Sequence, residues 1–131
     1  MKKLNWLLSL VIFGSLVAIS SCKDDDPMNT SLTGTWLETS NQVSNCTDPT
    51  DNEPIENCTA GCETIVITET TIIIDGATEL SYTKTATTIT VTDGVDSETV
   101  SYSISGTTLT ISQQNSLDDG GCKYITTYKK I

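Results

Sequence analysis

The residues of this chain that could do chemistry are its cysteines and carboxylates, because the 131-residue sequence contains no histidine. Without an imidazole, the Ser–His and Cys–His nucleophile arrangements are excluded. Carboxylate pairs stand at Asp118-Asp119 and at Glu53 with Glu56. Two acids can in principle cleave a glycosidic bond. These pairs lie in polar segments that contain Gly and Pro, where solvated turn residues are the ordinary explanation. We therefore predict that the protein is not an enzyme.

Cys22 stands apart from the other cysteines because it follows a segment with the layout of an export signal. Two lysines begin that segment, an apolar run covers residues 4–19, and small residues precede the cysteine. The residues Ile19-Ser20-Ser21-Cys22 resemble a lipobox, in which the cysteine is acylated and the chain is cut before it. A plain secretory signal is the alternative. A membrane-spanning helix is disfavoured because the run is shorter than the ~20 apolar residues that a span needs.

The residues after Cys22 indicate where the protein goes. Lys23-Asp24-Asp25-Asp26 resembles the tag that sends lipoproteins of the Bacteroidetes to the outer face of the outer membrane. The alternative is a solvated spacer. We predict a signal peptide (1–21), a lipidated acidic tether (22–31) and one domain (32–131), held at the cell surface by palmitate-type acyl chains on Cys22. Two acyl chains would anchor it firmly, since one alone is marginal.

The remaining cysteines form an even set, Cys46, Cys58, Cys62 and Cys122, with 11, 3 and 59 residues between successive members. These spacings lack the C-x-x-C pairs of structural zinc sites. In an exported chain, two disulfides are the default. They can form in three ways. We favour Cys46–Cys58, because these residues bracket one polar loop. The other bridge, Cys62–Cys122, then joins two positions where strands begin.

The charge of the chain restricts its partners. The formal net charge is −10, and removal of Lys2 and Lys3 with the signal peptide leaves five lysines, no arginine and 17 acids, or −12. Phosphate binding requires basic residues, so nucleic acid is excluded as a partner. Self-repulsion favours a soluble monomer, and we predict no cofactor. Oxygen ligands crowd one loop and could suit calcium, but they lack EF-hand spacing, and a solvated acidic loop is the ordinary explanation. They are Asn45, Asp48, Asp51, Asn52, Glu53 and Glu56.

The segments that must position these groups are β-strands. From residue 62 onward, Thr, Ile, Val and Tyr dominate, apolar and polar residues alternate, and Asp-Gly or Ser-Gly turns separate the segments. Residues 41–61 read as a long polar loop. Eight strands joined by tight turns predict a small antiparallel up-and-down barrel, with a two-sheet sandwich as the alternative. The predicted strands are Gly34–Ser40, Glu63–Thr68, Thr71–Asp75, Glu79–Thr85, Thr87–Thr92, Ser97–Ser105, Thr107–Ser112 and Lys123–Ile131.

Two motifs carry a family resemblance. Leu32-Thr33-Gly34-Thr35-Trp36 resembles the Gly-x-Trp start of lipocalins and of lipocalin-like domains on Bacteroidetes lipoproteins. Residues 100–111 are similar to a late hairpin of those domains, Y-x-I-x-G-x-x-L-x-I. The resemblance implies that Trp36 plugs one end of the barrel and that Gly34 lets the chain pass close by. The arginine that often packs on this tryptophan is absent. The available substitutes are Lys123, Lys129 and Lys130.

The resemblance also implies a function, the binding of a small apolar or amphipathic molecule in the mouth of the barrel. The alternative is a surface structural or interaction module whose barrel is filled by its own side chains. The composition favours the filled barrel, because one Phe and four Tyr are too few to line a large aromatic pocket.

Overall fold

The computed structural model describes residues 31–131, which form nine strands and two short 3-10 helices. The predicted signal peptide, Cys22 and nearly all of the tether lie outside the described residues. The strands are β1 (Gly34–Ser44), β2 (Glu53–Asn57), β3 (Thr64–Ile67), β4 (Thr71–Ile74), β5 (Thr78–Lys84), β6 (Thr88–Thr92), β7 (Ser97–Ser105), β8 (Thr108–Gln114) and β9 (Lys123–Lys130). The 3-10 helices are Pro49–Asp51 and Leu117–Asp119.

Eight of the strands close into an antiparallel barrel. From β3 to β9, each strand pairs with the next, and β1 pairs with both β3 and β9. The predicted eight-stranded barrel is therefore confirmed, with one extra strand. All of these pairings lie between residues 34 and 130, so this part of the chain supplies its own closure. Closure removes the open sheet edges of these eight strands, whereas β2 pairs with β1 alone among the described strands.

The tight turns follow the sequence signals. Asp75 and Gly76 adopt φ angles of 48° and 70°, the left-handed conformation that an Asp-Gly hairpin turn requires. The side chain of Asp75 accepts a 2.8 Å hydrogen bond from the Thr64 backbone N–H, which ties this turn to the start of β3. The Asp-Gly turn therefore separates β4 from β5, as predicted.

The prediction of a loop over residues 41–61 is wrong in two places. β1 continues to Ser44, and β2 pairs with its second half, with Ser40 opposite Asn57 and Val43 opposite Glu53. The sequence does not predict β2 because all five of its residues are exposed. A strand without a buried face does not show the alternation of apolar and polar residues. β2 forms because β1 is longer than β3. β3 pairs only with the first part of β1, so the backbone groups of β1 beyond residue 39 can pair with another strand.

The favoured disulfide pairing is also wrong. The structure pairs Cys46 with Cys122 and Cys58 with Cys62. The reason is the register of β1 against β9, which places Ser44 opposite Lys123 and so brings the residues just beyond these strand ends together. Cys58 and Cys62 then bridge the short turn between β2 and β3.

The barrel has two distinct ends. The Trp36 end is where β1 begins, and the Cys46 end is where β1 finishes and β9 starts beside the Cys46–Cys122 bridge. Most of the interior is filled by fourteen buried side chains that form one cluster. They are Leu32, Trp36, Ile65, Ile67, Ile72, Ile74, Leu80, Tyr82, Ile89, Val91, Val100, Leu109, Ile111 and Tyr128.

Candidate functional site

Trp36 is a structural residue at its end of the barrel. Its ring is fully buried, and its Nε1 donates a 3.3 Å hydrogen bond to the Leu32 carbonyl. Gly34 has a φ of 123°, which side-chain-bearing residues rarely adopt, so the chain needs glycine at this point of entry into β1. Lys130 Nζ lies 5.6 Å from the centroid of the Trp36 ring. Of the three lysines named from the sequence, Lys130 is the one shown within cation–π range of this ring.

Two tyrosines tie down the turns at the Trp36 end. The Tyr82 hydroxyl donates to the Thr68 carbonyl at 2.8 Å, and the Tyr102 hydroxyl donates to the Thr85 carbonyl at 3.0 Å. Burial, followed by the nearby charge of Glu69, raises the pKa of Tyr82. Both rings face inward and keep their polar tips at the rim, so they contribute to a packed interior.

The inner wall becomes polar toward the Cys46 end. Glu38, Gln113 and Thr126 are the three buried polar residues of the described chain, with Glu38 only 5% exposed. Asn41 Nδ2 donates a 3.1 Å hydrogen bond to Glu38 Oε1. Gln113 Nε2 donates a 3.3 Å bond to Glu98 Oε1, while burial raises the pKa of Glu98. The interior of the barrel is thus apolar toward the Trp36 end and carries acidic side chains toward the Cys46 end.

Glu63 is the most perturbed titratable group in this polar region. The Glu38 backbone N–H donates to the Glu63 carbonyl at 3.1 Å, which places the two glutamates side by side across β1 and the residue that precedes β3. Burial, then the charge of Asp75, then that of Glu38 raise the pKa of Glu63 to about 8. Its Oε1 is buried without a hydrogen-bond partner among the described residues. The Glu63 carboxyl is therefore mostly protonated at neutral pH.

Thr126 holds a second unsatisfied acceptor. It is 1% exposed, and its Oγ1 has no hydrogen-bond partner within residues 31–131. The register places Thr126 opposite Asn41 on β1 and opposite Ile111 on β8. Because side chains alternate along a strand, Tyr124 occupies the next inward position, roughly 6.6 Å further toward the Cys46 end.

A cleft of about 420 Å³ opens at the Cys46 end. Val43 and Tyr124 face each other in the β1–β9 register and form its apolar floor. Asp51, Glu53 and Asp119 supply carboxylates around it. The full lining is Val43, Thr50, Asp51, Glu53, Asp119, Gly120, Cys122 and Tyr124.

Local contacts hold the walls of the cleft in place. The Thr47 backbone N–H donates to the Gly120 carbonyl at 3.0 Å, which joins the two loops beside the Cys46–Cys122 bridge. The Asp48 side chain accepts from the Thr50 N–H at 2.9 Å and caps the first 3-10 helix. The walls are therefore loops, but cross-linked ones.

Two carboxylate pairs were predicted from the sequence, Asp118 with Asp119 and Glu53 with Glu56. The cleft brings together one member of each pair, Glu53 and Asp119. For the calcium interpretation, no group of three His, Cys, Asp or Glu side chains within residues 31–131 is arranged to hold a metal ion. The buried residues Glu38 and Thr126 and the half-buried Glu63 were not predicted as site residues. For Glu38, a signal was present, because its two-residue spacing from Trp36 places it on the inner face.

No helix in the part of the chain that the structure describes is long and apolar enough to cross a membrane. Comparison with protein-family models, with curated proteins and with solved structures yields no match to this chain. Interpretation of the site therefore rests on its own geometry and chemistry.

Proposed function

We propose that this protein is an outer-membrane lipoprotein, held by acyl chains on Cys22, whose packed barrel is an interaction module at the cell surface. The lipobox-like segment and the acidic run behind Cys22 support the anchor. The chain enters β1 at the Trp36 end, and β1 is 11 residues or roughly 35 Å long. The described chain thus begins at the end of the barrel opposite the cleft.

The observation that carries the proposal is the filling of the barrel. Inward side chains from all eight barrel strands belong to one buried cluster, and Trp36 and Tyr128 are its largest fully buried members. A barrel of this size is just wide enough to be packed solid or to hold one ligand. The buried cluster supports the first of these alternatives.

The test uses the chain from residue 23 onward, purified with its disulfides formed. We expect native mass spectrometry to show the bare polypeptide mass, and titration with N-phenyl-1-naphthylamine to show no saturable rise in fluorescence. A co-purifying apolar molecule that is lost on denaturation and rebinds would contradict the filled barrel. The anchor has its own test: Cys22→Ser should move the protein out of the membrane fraction, and retention there would refute the lipidation.

Binding of a small amphipathic molecule is a second candidate function, with the cleft at the Cys46 end of the barrel as its site. The observation in its favour is the mixed lining, because Val43 and Tyr124 offer an apolar surface within reach of carboxylates. The matching ligand joins an apolar body to a positive charge.

A further inference from the structure

β2 is attached to the barrel differently from the other described strands. Each of the other eight contains at least one buried residue, whereas all five residues of β2 are exposed. Its pairing with β1 comprises three register pairs and an irregularity. Ordering a residue costs more conformational entropy than one backbone hydrogen bond returns. The pairing of β2 with β1 therefore depends on a further restraint.

The Cys58–Cys62 bridge supplies that restraint. Cys58 directly follows β2, and its backbone N–H donates a 2.9 Å hydrogen bond to the Thr39 carbonyl on β1. Cys62 lies just before β3, which pairs with the first part of β1. The bridge therefore fixes the end of β2 relative to the start of β3 and keeps β2 beside β1.

The two bridges of the described chain differ in their access to solvent. Cys58 and Cys62 are both partly exposed, and the three residues between them are exposed. In the other bridge, Cys122 is only 5% exposed. Exchange with a thiol requires access to a sulfur atom. The sequence separations are 4 and 76, so cleavage of Cys58–Cys62 also costs the fold less in loop-closure entropy. Both arguments make Cys58–Cys62 the bridge that reacts first.

We propose that the Cys58–Cys62 bridge is a site of thiol–disulfide exchange, and that its reduction releases β2 from β1. Release moves Glu53 out of the wall of the cleft and uncovers the edge of β1 from Ser40 to Val43. This inference goes beyond the packed barrel, because no residue of the bridge or of β2 belongs to the buried cluster.

The co-reactant is a small dithiol in solution. One of its thiolates attacks the Sγ atom of Cys58 or Cys62, the Sγ–Sγ bond breaks, and the other cysteine leaves as a thiolate that takes up a proton. The second thiol of the reductant then attacks the mixed disulfide and displaces the remaining cysteine, which is also protonated. The dithiol becomes a cyclic disulfide, and two electrons and two protons pass to the two cysteines.

The first experiment tests which bridge reacts. The disulfide-bonded chain from residue 23 onward is treated with a stoichiometric amount of dithiothreitol, and free thiols are trapped with N-ethylmaleimide at successive times. We expect peptide mapping to find the label on Cys58 and Cys62 while Cys46 and Cys122 remain joined. Labelling of Cys46 and Cys122 first, or of all four cysteines together, would overturn the inference.

The second experiment measures amide hydrogen exchange in the selectively reduced chain and in Cys58→Ser/Cys62→Ser. We expect the backbone amide at position 58 to exchange about thirtyfold faster than in the oxidised chain, the factor for loss of so short a closed loop. The Lys130 amide, which donates to the Thr107 carbonyl at 2.8 Å, is the internal control and should change less than about twofold. The double variant should not respond to dithiothreitol.

The outcomes separate this inference from the proposed function. If position 58 keeps its protection after reduction, β2 does not depend on the bridge and the inference is refuted. If the Lys130 amide accelerates equally, the whole barrel has loosened and local release is refuted. Exclusion of N-phenyl-1-naphthylamine by the oxidised chain tests the packed barrel alone, so either proposal can fail while the other stands.

Discussion

Ionisation of Glu63 should make the protein less stable as the pH rises through neutrality. A carboxyl group with a higher pKa in the folded than in the unfolded state takes up a proton on folding. Its contribution to stability is complete below the unfolded pKa of 4.5 and is lost as the pH approaches the folded pKa of about 8. This is opposite to the usual carboxylate, whose pKa falls on folding.

The magnitude follows from the two pKa values. A rise from 4.5 to about 8 corresponds to nearly 5 kcal/mol if all of it opposes folding. Because Glu63 is only half-buried, solvent screening reduces this figure, and we expect about 2 kcal/mol. The variant Glu63→Gln stays neutral at every pH. Its free energy of unfolding should match that of the wild type near pH 4.5 and exceed it by about 2 kcal/mol at pH 9.

The assay is urea unfolding of the chain from residue 23 onward, followed by the fluorescence of Trp36, its single tryptophan. The matched control is Glu79→Gln, which removes the same charge from an exposed position on β5. The difference between this control and the wild type should stay within about 0.5 kcal/mol across the pH range. A Glu63→Gln effect that is equally large at pH 4.5 and pH 9 would refute the reasoning, because it would not come from ionisation.

Three further results are expected. Leu109→Ala should lower the free energy of unfolding by about 2–5 kcal/mol in urea titration, because this fully buried side chain sits in the packed core; a loss below about 1 kcal/mol would show that the interior is loosely filled. Peptide mapping without reduction should recover Cys46 joined to Cys122 and Cys58 joined to Cys62, and any other pairing would contradict the register of β1 and β9. Replacing both cysteines of the first bridge with alanine should cost about 4.5 kcal/mol, against about 2 kcal/mol for the second, since the sequence separations are 76 and 4. Equal losses would show that loop entropy is not the main cause.

Much of the fold could be predicted because its signals are local. Alternating apolar residues indicate a strand with one buried face, and a turn sequence such as Asp75-Gly76 marks where the chain reverses direction. Each of the eight predicted strands has a counterpart in the barrel. β2 could not be predicted from such local signals, because its residues Glu53–Asn57 are all exposed and include a proline. A strand without a buried face has no hydrophobic period, so only the free edge of β1 reveals it.

The candidate site could be predicted less well, because it combines residues that are distant in sequence. Val43 and Tyr124 share a floor only because β1 lies beside β9. Glu63 has an unusual pKa only because the barrel buries it near Asp75 and Glu38. No local spacing contains this information, since a pKa depends on what surrounds a group in space.

The sequence by itself therefore determined the class of this protein: an all-β domain with an even set of cysteines, a strongly acidic surface and Trp36 in its core. These properties follow from composition and from short-range periodicity, which the chain carries without folding. Only the tertiary structure decided which cysteines pair, that an extra strand extends the sheet beside β1, and that carboxylates meet an apolar floor above the buried Thr126. The physical reason is that strand register sets which distant residues become neighbours, and closing the barrel decides which of them lose contact with water.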